Sequence, residues 1–131
     1  MGAANYVVDG SVEAGDDRVQ DMAVENTANP LTVTSAAQGD HTVVSVSGEV
    51  DAASADLLRV AIGEVIEGGQ ARIAVDMSDV SFIDSSGLRV LIAGYKSASA
   101  AGGALTVQAP SDPVTRLLEI TGQLERFVPA Q

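Results

Sequence analysis

A chain of 131 residues has room for one domain, and with 46% hydrophobic residues, four aromatics and no Trp its core must be Val, Leu, Ile and Ala. The net charge of −11 repels phosphate backbones and anionic lipid, and so few aromatics leave no stacking platform for single-stranded nucleic acid. The absence of cysteine excludes disulfides, thiolate catalysis and zinc–thiolate sites.

Residues 1–28 read as an acidic, disordered tail. Asp9, Glu13, Asp16, Asp17, Asp21 and Glu25 stand there against one cation, Arg18. The stretch has no sustained periodicity and too little apolar content to offset the entropy of ordering it. A short helix over 18–25 is the one element it suggests. The domain proper is expected over 29–131.

From Pro30 the pattern sharpens. Residues 31–35 (Leu-Thr-Val-Thr-Ser) alternate as a strand should, and 36–40 (Ala-Ala-Gln-Gly-Asp) supply a turn. Residues 41–48 form a second alternating, β-branched run, so the two predict a hairpin. A helix follows Asp51 and runs to about Glu67, with Ala55, Leu58, Ile62, Val65 and Ile66 on one face. Gly68-Gly69 ends it. Residues 72–77 (Arg-Ile-Ala-Val-Asp-Met) read as a third strand, apolar on both faces, and 81–83 extend its apolar character. A second helix is predicted over about 86–101, with Leu88, Leu91, Ile92, Tyr95 and Ala98 inward and Gly102-Gly103 as its stop. Residues 104–109 make a fourth strand. Asp112 is a candidate N-cap for a short helix carrying Val114, Leu117 and Leu118, which Thr121-Gly122 breaks. Leu124, Phe127 and Val128 form a last apolar cluster.

The order is β-β-α-β-α-β-α, which predicts a single α/β domain: a mixed four- to five-stranded sheet with helices packed against it. No run approaches the ~18 apolar residues that span a bilayer, and the N-terminus lacks the basic-then-apolar pattern of a secretory signal. A cytoplasmic protein, with no direct contact to membrane or nucleic acid, is the expectation.

The informative seam is Asp84-Ser85-Ser86-Gly87, where a buried strand meets a buried helix. Asp and Ser are favoured N-caps, because their oxygens accept from the unpaired amides of a first helical turn. The same place is also where an open sheet presents ligand and partner sites. A phosphorylated serine there would add about −1.5 to −2 charges, tolerated by the helix dipole yet able to reverse the character of a docking face. Cap and switch both fit the residues.

Enzymatic readings fit less well. A serine nucleophile needs a base, the spacing is not Gly-x-Ser-x-Gly, and the one histidine, His41, falls at the start of an edge-type strand. Asp76, Asp79 and Asp84 cluster in sequence without the spacing of a metal-ligand set. The chain is therefore expected to be no enzyme and to use no cofactor or metal.

Four segments together carry a resemblance: Gly48-Glu49-Val50-Asp51; Val75-Asp76-Met77-Ser78-Asp79-Val80; Phe82-Ile83-Asp84-Ser85-Ser86-Gly87-Leu88; and Thr121-Gly122-Gln123-Leu124. In this order and spacing the chain resembles the STAS domain and, more narrowly, the bacterial anti-sigma factor antagonists, over residues from about 31 to 128.

That resemblance implies a mechanism. The unphosphorylated protein would bind an anti-sigma factor that is also a serine kinase, and so free a sigma factor. Phosphorylation at Ser85 would switch binding off, and a serine phosphatase would reset it. Asp51 matches the acidic residue of the family's partner face, with the N-cap of a helix over 52–67 as its other reading. Asp84 would position the loop, Ser86 would cap the helix, and Gly87 would let a partner approach the first turn, with simple close packing as its other reading. Arg89 would point outward and Ser54 would border the interface, while Leu88 and Ile92 belong to the core. The alternative is a STAS-type accessory domain that binds a small molecule or nucleotide, or serves as a stress-sensing scaffold. The acidic tail has no counterpart in the compact family domain.

Overall fold

The computed structural model describes residues 4–5 and 31–129. The helix expected over 18–25 lies outside the described residues. Among the described residues nine elements follow in chain order: β1 (Ala4–Asn5), β2 (Thr32–Gln38), β3 (His41–Val50), α1 (Ala55–Glu67), β4 (Arg72–Ile83), α2 (Ser85–Ala100), β5 (Ala104–Gln108), α3 (Asp112–Ile120) and α4 (Leu124–Phe127). They build one five-stranded sheet in the order β1-β2-β3-β4-β5. The β1–β2 and β2–β3 pairs are antiparallel; β3–β4 and β4–β5 are parallel, each bridged by a helical crossover.

The hairpin is tighter than the sequence suggests. Ala36 and Ala37 stay in the ladder opposite Val43 and Thr42, and the turn shrinks to Gly39-Asp40. Gly39 has φ +63, a left-handed conformation that suits two-residue hairpin loops. Residues 51–54 form a turn, so α1 begins at Ala55 rather than directly after Asp51.

Strand β4 is one twelve-residue strand, not a six-residue strand and a separate apolar stretch. Its inward residues are Ile73, Val75, Met77, Val80 and Ile83, spaced by two, two, three and three. Strict alternation would turn Val80 outward. Two register shifts against β3 correct the phase, one between Ser45 and Ser47 and one between Gly48 and Glu49. Each admits an extra residue on β4, as a β-bulge does. The Asp76 carboxylate accepts from the Ser78 amide (3.0 Å) and hydroxyl (2.8 Å), clamping the first.

The helices cover one face of the sheet. Val33, Val44, Val46, Val50, Val75, Met77, Leu105 and Val107 meet Leu58, Ile62, Leu91, Val114, Leu118 and Phe127 in a single core. Fully burying a side chain of this size contributes about 1.5–3 kcal/mol. Tyr95 and Phe127 meet edge-to-face at 5.7 Å, so two of the four aromatics are used here. The opposite face carries Thr32, Thr34, Ser45, Ser47, Asp76, Ser78 and Asp79 around a shallow hollow, with Val43 and Ala74 buried further along it.

Beyond Asp76, β4 outruns β5. Ser111 takes over that edge: its amide donates to the Met77 carbonyl (3.1 Å) and its hydroxyl to the Val80 carbonyl (2.6 Å). Ser111, not Asp112, therefore holds the N-cap position of α3, and Asp112 lies in the first turn with Pro113 beside it. No helix among the described residues is long and apolar enough to cross a membrane.

Candidate functional site

Strands β3 and β4 run parallel and end side by side, Val50 opposite Ile83. The Asp84 amide continues the ladder to the Val50 carbonyl at 3.2 Å. Asp51 and Asp84 are thereby the first residues past two neighbouring strand ends, each opening a connection into a helix. Ser85 is the first residue of α2 and is exposed. Its hydroxyl has no hydrogen-bond partner among the described residues.

The α2 cap belongs to Asp84. Its backbone is extended and its carboxylate accepts from the Ser86 amide at 2.9 Å. The Asp84 carbonyl takes the amides of Gly87 (3.0 Å) and Leu88 (3.2 Å). Ser86 thus supplies a capped amide instead of capping the helix, as the sequence had suggested, because the chain turns helical one residue earlier. With its carboxylate committed to the turn, Asp84 leaves the neighbouring hydroxyl clear.

Asp51 organises the other connection. Its carboxylate accepts from the amides of Ala53 (3.0 Å) and Ser54 (3.1 Å). The Ser54 hydroxyl donates to the Glu49 carbonyl (2.7 Å), lies 3.0 Å from the Asp51 carboxylate, and accepts from the Asp51 amide (3.0 Å). Asp51 is therefore not the N-cap of the first helix, a position Ser54 holds; its carboxylate instead ties the turn that precedes α1. Asp51 and Ser54 form one reciprocal, half-buried unit at the rim.

Gly87 faces inward. A Cβ on it would stand 2.7 Å from Val50 Cγ1 and 2.8 Å from Ile83 Cγ1. Its lack of a side chain lets the first turn of α2 settle on both strand ends, which differs from the expectation that it opens the turn to a partner. Leu88 is buried and Ile92 packs at the core margin. Arg89 is exposed one turn after Ser85, at the spacing that puts two side chains on one helix face.

The remaining candidates are spread elsewhere. His41 opens β3, a central strand and not an edge, with Nδ1 3.4 Å from Asp40. A ten-residue strand at about 3.3 Å per residue separates it from Asp51, so it has no access to Ser85. A cleft of about 510 Å³ lined by Asp40, His41, Arg72, Gly103 and Thr106 lies at that far end. Among the described residues no three His, Asp or Glu side chains converge on a metal-sized site. What the sequence reading missed at the rim is Phe82, assigned to the apolar run but 44% exposed.

Residues 33–129 match the family described as "Mlab, STAS domain". The chain belongs to the STAS-domain family of anti-sigma factor antagonists. It is 36% identical over 81 residues to the anti-sigma F factor antagonist of Paenibacillus polymyxa, covering 61% of this chain and 69% of that one. An anti-sigma factor antagonist from Mycobacterium paratuberculosis superposes with TM-score 0.65 at 30% identity, over 78% of this chain and 86% of that one. The Bacillus cell-fate determinant SpoIIAA in its phosphorylated form shares the fold, with TM-score 0.55 and 23% identity over 66% and 78% of the two chains. In this STAS domain the four rim residues Asp51, Ser54, Asp84 and Ser85 come from two connections that the β3–β4 ladder brings together.

Proposed function

We propose that this chain is a phosphorylation-controlled antagonist. Its unmodified form binds an anti-sigma factor that is also a serine kinase, and so releases a sigma factor. Transfer of the γ-phosphoryl group of ATP to the Ser85 hydroxyl ends that complex, and a serine phosphatase restores it. The observation that carries the reading is the placement of Ser85: exposed, unpartnered among the described residues, and first in a sixteen-residue helix whose cap is supplied by a different residue.

The physics of such a switch follows from that position. A phosphoryl group brings about −1.5 to −2 charges to a rim that already holds Asp51 and Asp84. The α2 dipole favours negative charge at its N-terminus, so the domain itself tolerates the modification. SpoIIAA keeps this fold in its phosphorylated form, which fits a change of surface rather than of architecture. A partner desolvating the rim would meet an unpaired dianion, and breaking complementarity of that kind costs several kcal/mol. Asp51, Ser54, Asp84, Ser86 and Arg89 frame the contact surface, while Gly87 sets the helix height.

The test uses the anti-sigma factor kinases of the source organism, each purified and verified active. ATP and the cognate kinase should modify Ser85, mapped by mass spectrometry. Ser85→Ala should bind that kinase whether or not ATP is present, and Ser85→Glu should bind weakly. If no kinase modifies the chain, or Ala and Glu variants bind alike, the reading fails.

A further inference from the structure

Phe82 is an aromatic turned to water by a bulge. With Val80 inward, plain alternation would bury Phe82 and expose Ile83. Instead Gly48 pairs with Val80 and Glu49 with Phe82, so Ser81 is the extra residue and the phase inverts. Ile83 then enters the core at 7% exposure and Phe82 stands out at 44%. Bulges beside functional sites commonly re-aim a side chain in this way. Tyr95 and Phe127 pack against each other, which leaves Phe82 as the outward aromatic among the described residues.

Its surroundings say what it fits. Phe82 lies on the face of the sheet opposite the helices, two residues before Asp84 and three before Ser85. Glu49 is its cross-strand neighbour, Asp79 lies on the same face opposite Ser47, and Asp51 and Asp84 follow at the strand ends. An outward phenyl ring on a stretch of chain carrying Glu49, Asp79, Asp51 and Asp84 complements an apolar slot rimmed with Lys or Arg. The geometry points to Phe82 as the apolar anchor of the partner-facing surface, seated in such a slot on the anti-sigma factor, so that docking extends from the α2 N-terminus onto the end of β4 where Phe82 turns outward. This rests on the function proposed above and adds to it the residue that supplies apolar binding energy, whereas Ser85 supplies the control. Interface cores are enriched in aromatic residues, Phe among them, surrounded by a polar rim.

The chain has no Trp, so Phe82→Trp labelled with 5-fluorotryptophan gives one ¹⁹F resonance at this position. Adding the anti-sigma factor kinase that modifies Ser85 should shift and broaden that resonance, and the Ser85-phosphorylated chain should give no change. In parallel, Phe82→Ala should keep its melting temperature close to wild type, bind the kinase at least about tenfold more weakly, and raise KM for Ser85 phosphorylation with kcat unchanged. Phe82→Leu should recover much of the loss. If the wild type binds and is modified but the resonance stays put, or if Phe82→Ala binds as wild type, this inference is overturned and the phosphoswitch stands. A resonance that moves with concentration of the chain alone assigns the face to self-association and also overturns it. If no kinase binds the wild type, both readings fall together.

Discussion

The backbone amide of Asp84 donates to the carbonyl of Val50 at 3.2 Å, and this bond sets the geometry of the rim. It extends the parallel ladder one step past β4, fixing where α2 starts relative to the turn that follows β3. Two connections 33 positions apart thereby share one corner, with Asp51 on one side and Ser85 on the other.

The Asp84 side chain should be worth the ordinary value of a helix cap. Asp84→Ala removes the acceptor for the Ser86 amide. A loss of about 1 kcal/mol in urea unfolding is expected, with Asp84→Asn close to wild type. An Asn variant as unstable as Ala would mean that charge, not the bond, holds the turn.

Gly87→Ala tests close packing against helix propensity. Alanine favours a helix, yet its Cβ would crowd Val50 and Ile83 at 2.7 and 2.8 Å. Overpacking should win, with a net destabilisation of about 1–2 kcal/mol. Val50→Ala in the same chain should relieve part of it, giving a non-additive cycle. A stabilised Gly87→Ala would show that the strand ends yield easily.

Asp51 and Ser54 should behave as one unit. The Ser54 hydroxyl serves the Glu49 carbonyl and the Asp51 amide, while the Asp51 carboxylate holds the turn amides. Ser54→Ala should cost about 1–2 kcal/mol, since it removes the donor to the Glu49 carbonyl and the acceptor of the Asp51 amide together. Combined with Asp51→Ala, the two should couple by at least about 0.5 kcal/mol in thermal or denaturant unfolding. Strict additivity would dissolve the unit.

Association with the kinase should be steered by charge. With −11 on the chain and four carboxylates near Phe82 and Ser85, stopped-flow association should slow by about tenfold from low to high salt. Dissociation should change much less. An association rate indifferent to salt would remove the basic rim assigned to the partner.

The elements were legible because their signals are local. The α1 stripe Ala55, Leu58, Ile62 and Val65 is buried as its spacing predicts, and paired glycines stand after both long helices. Boundaries moved where a tertiary bond competed with a local preference. Ser111 rather than Asp112 took the α3 N-cap because its hydroxyl also reaches the Val80 carbonyl on another element. Ser86 lost its capping role to Asp84 because the ladder bond from Val50 fixed the entry to the helix.

The sequence by itself determined the β-β-α-β-α-β-α order from β2 to α3 and the aliphatic core, since these depend on neighbours within a few residues, and it carried the resemblance through four segments in order between Gly48 and Leu124. Only the tertiary structure decided that the two connections meet, that Gly87 packs inward, and that Phe82 is turned out while Ile83 is turned in. Those outcomes depend on the register between β3 and β4, which long-range hydrogen bonds set and which no local window of the chain contains.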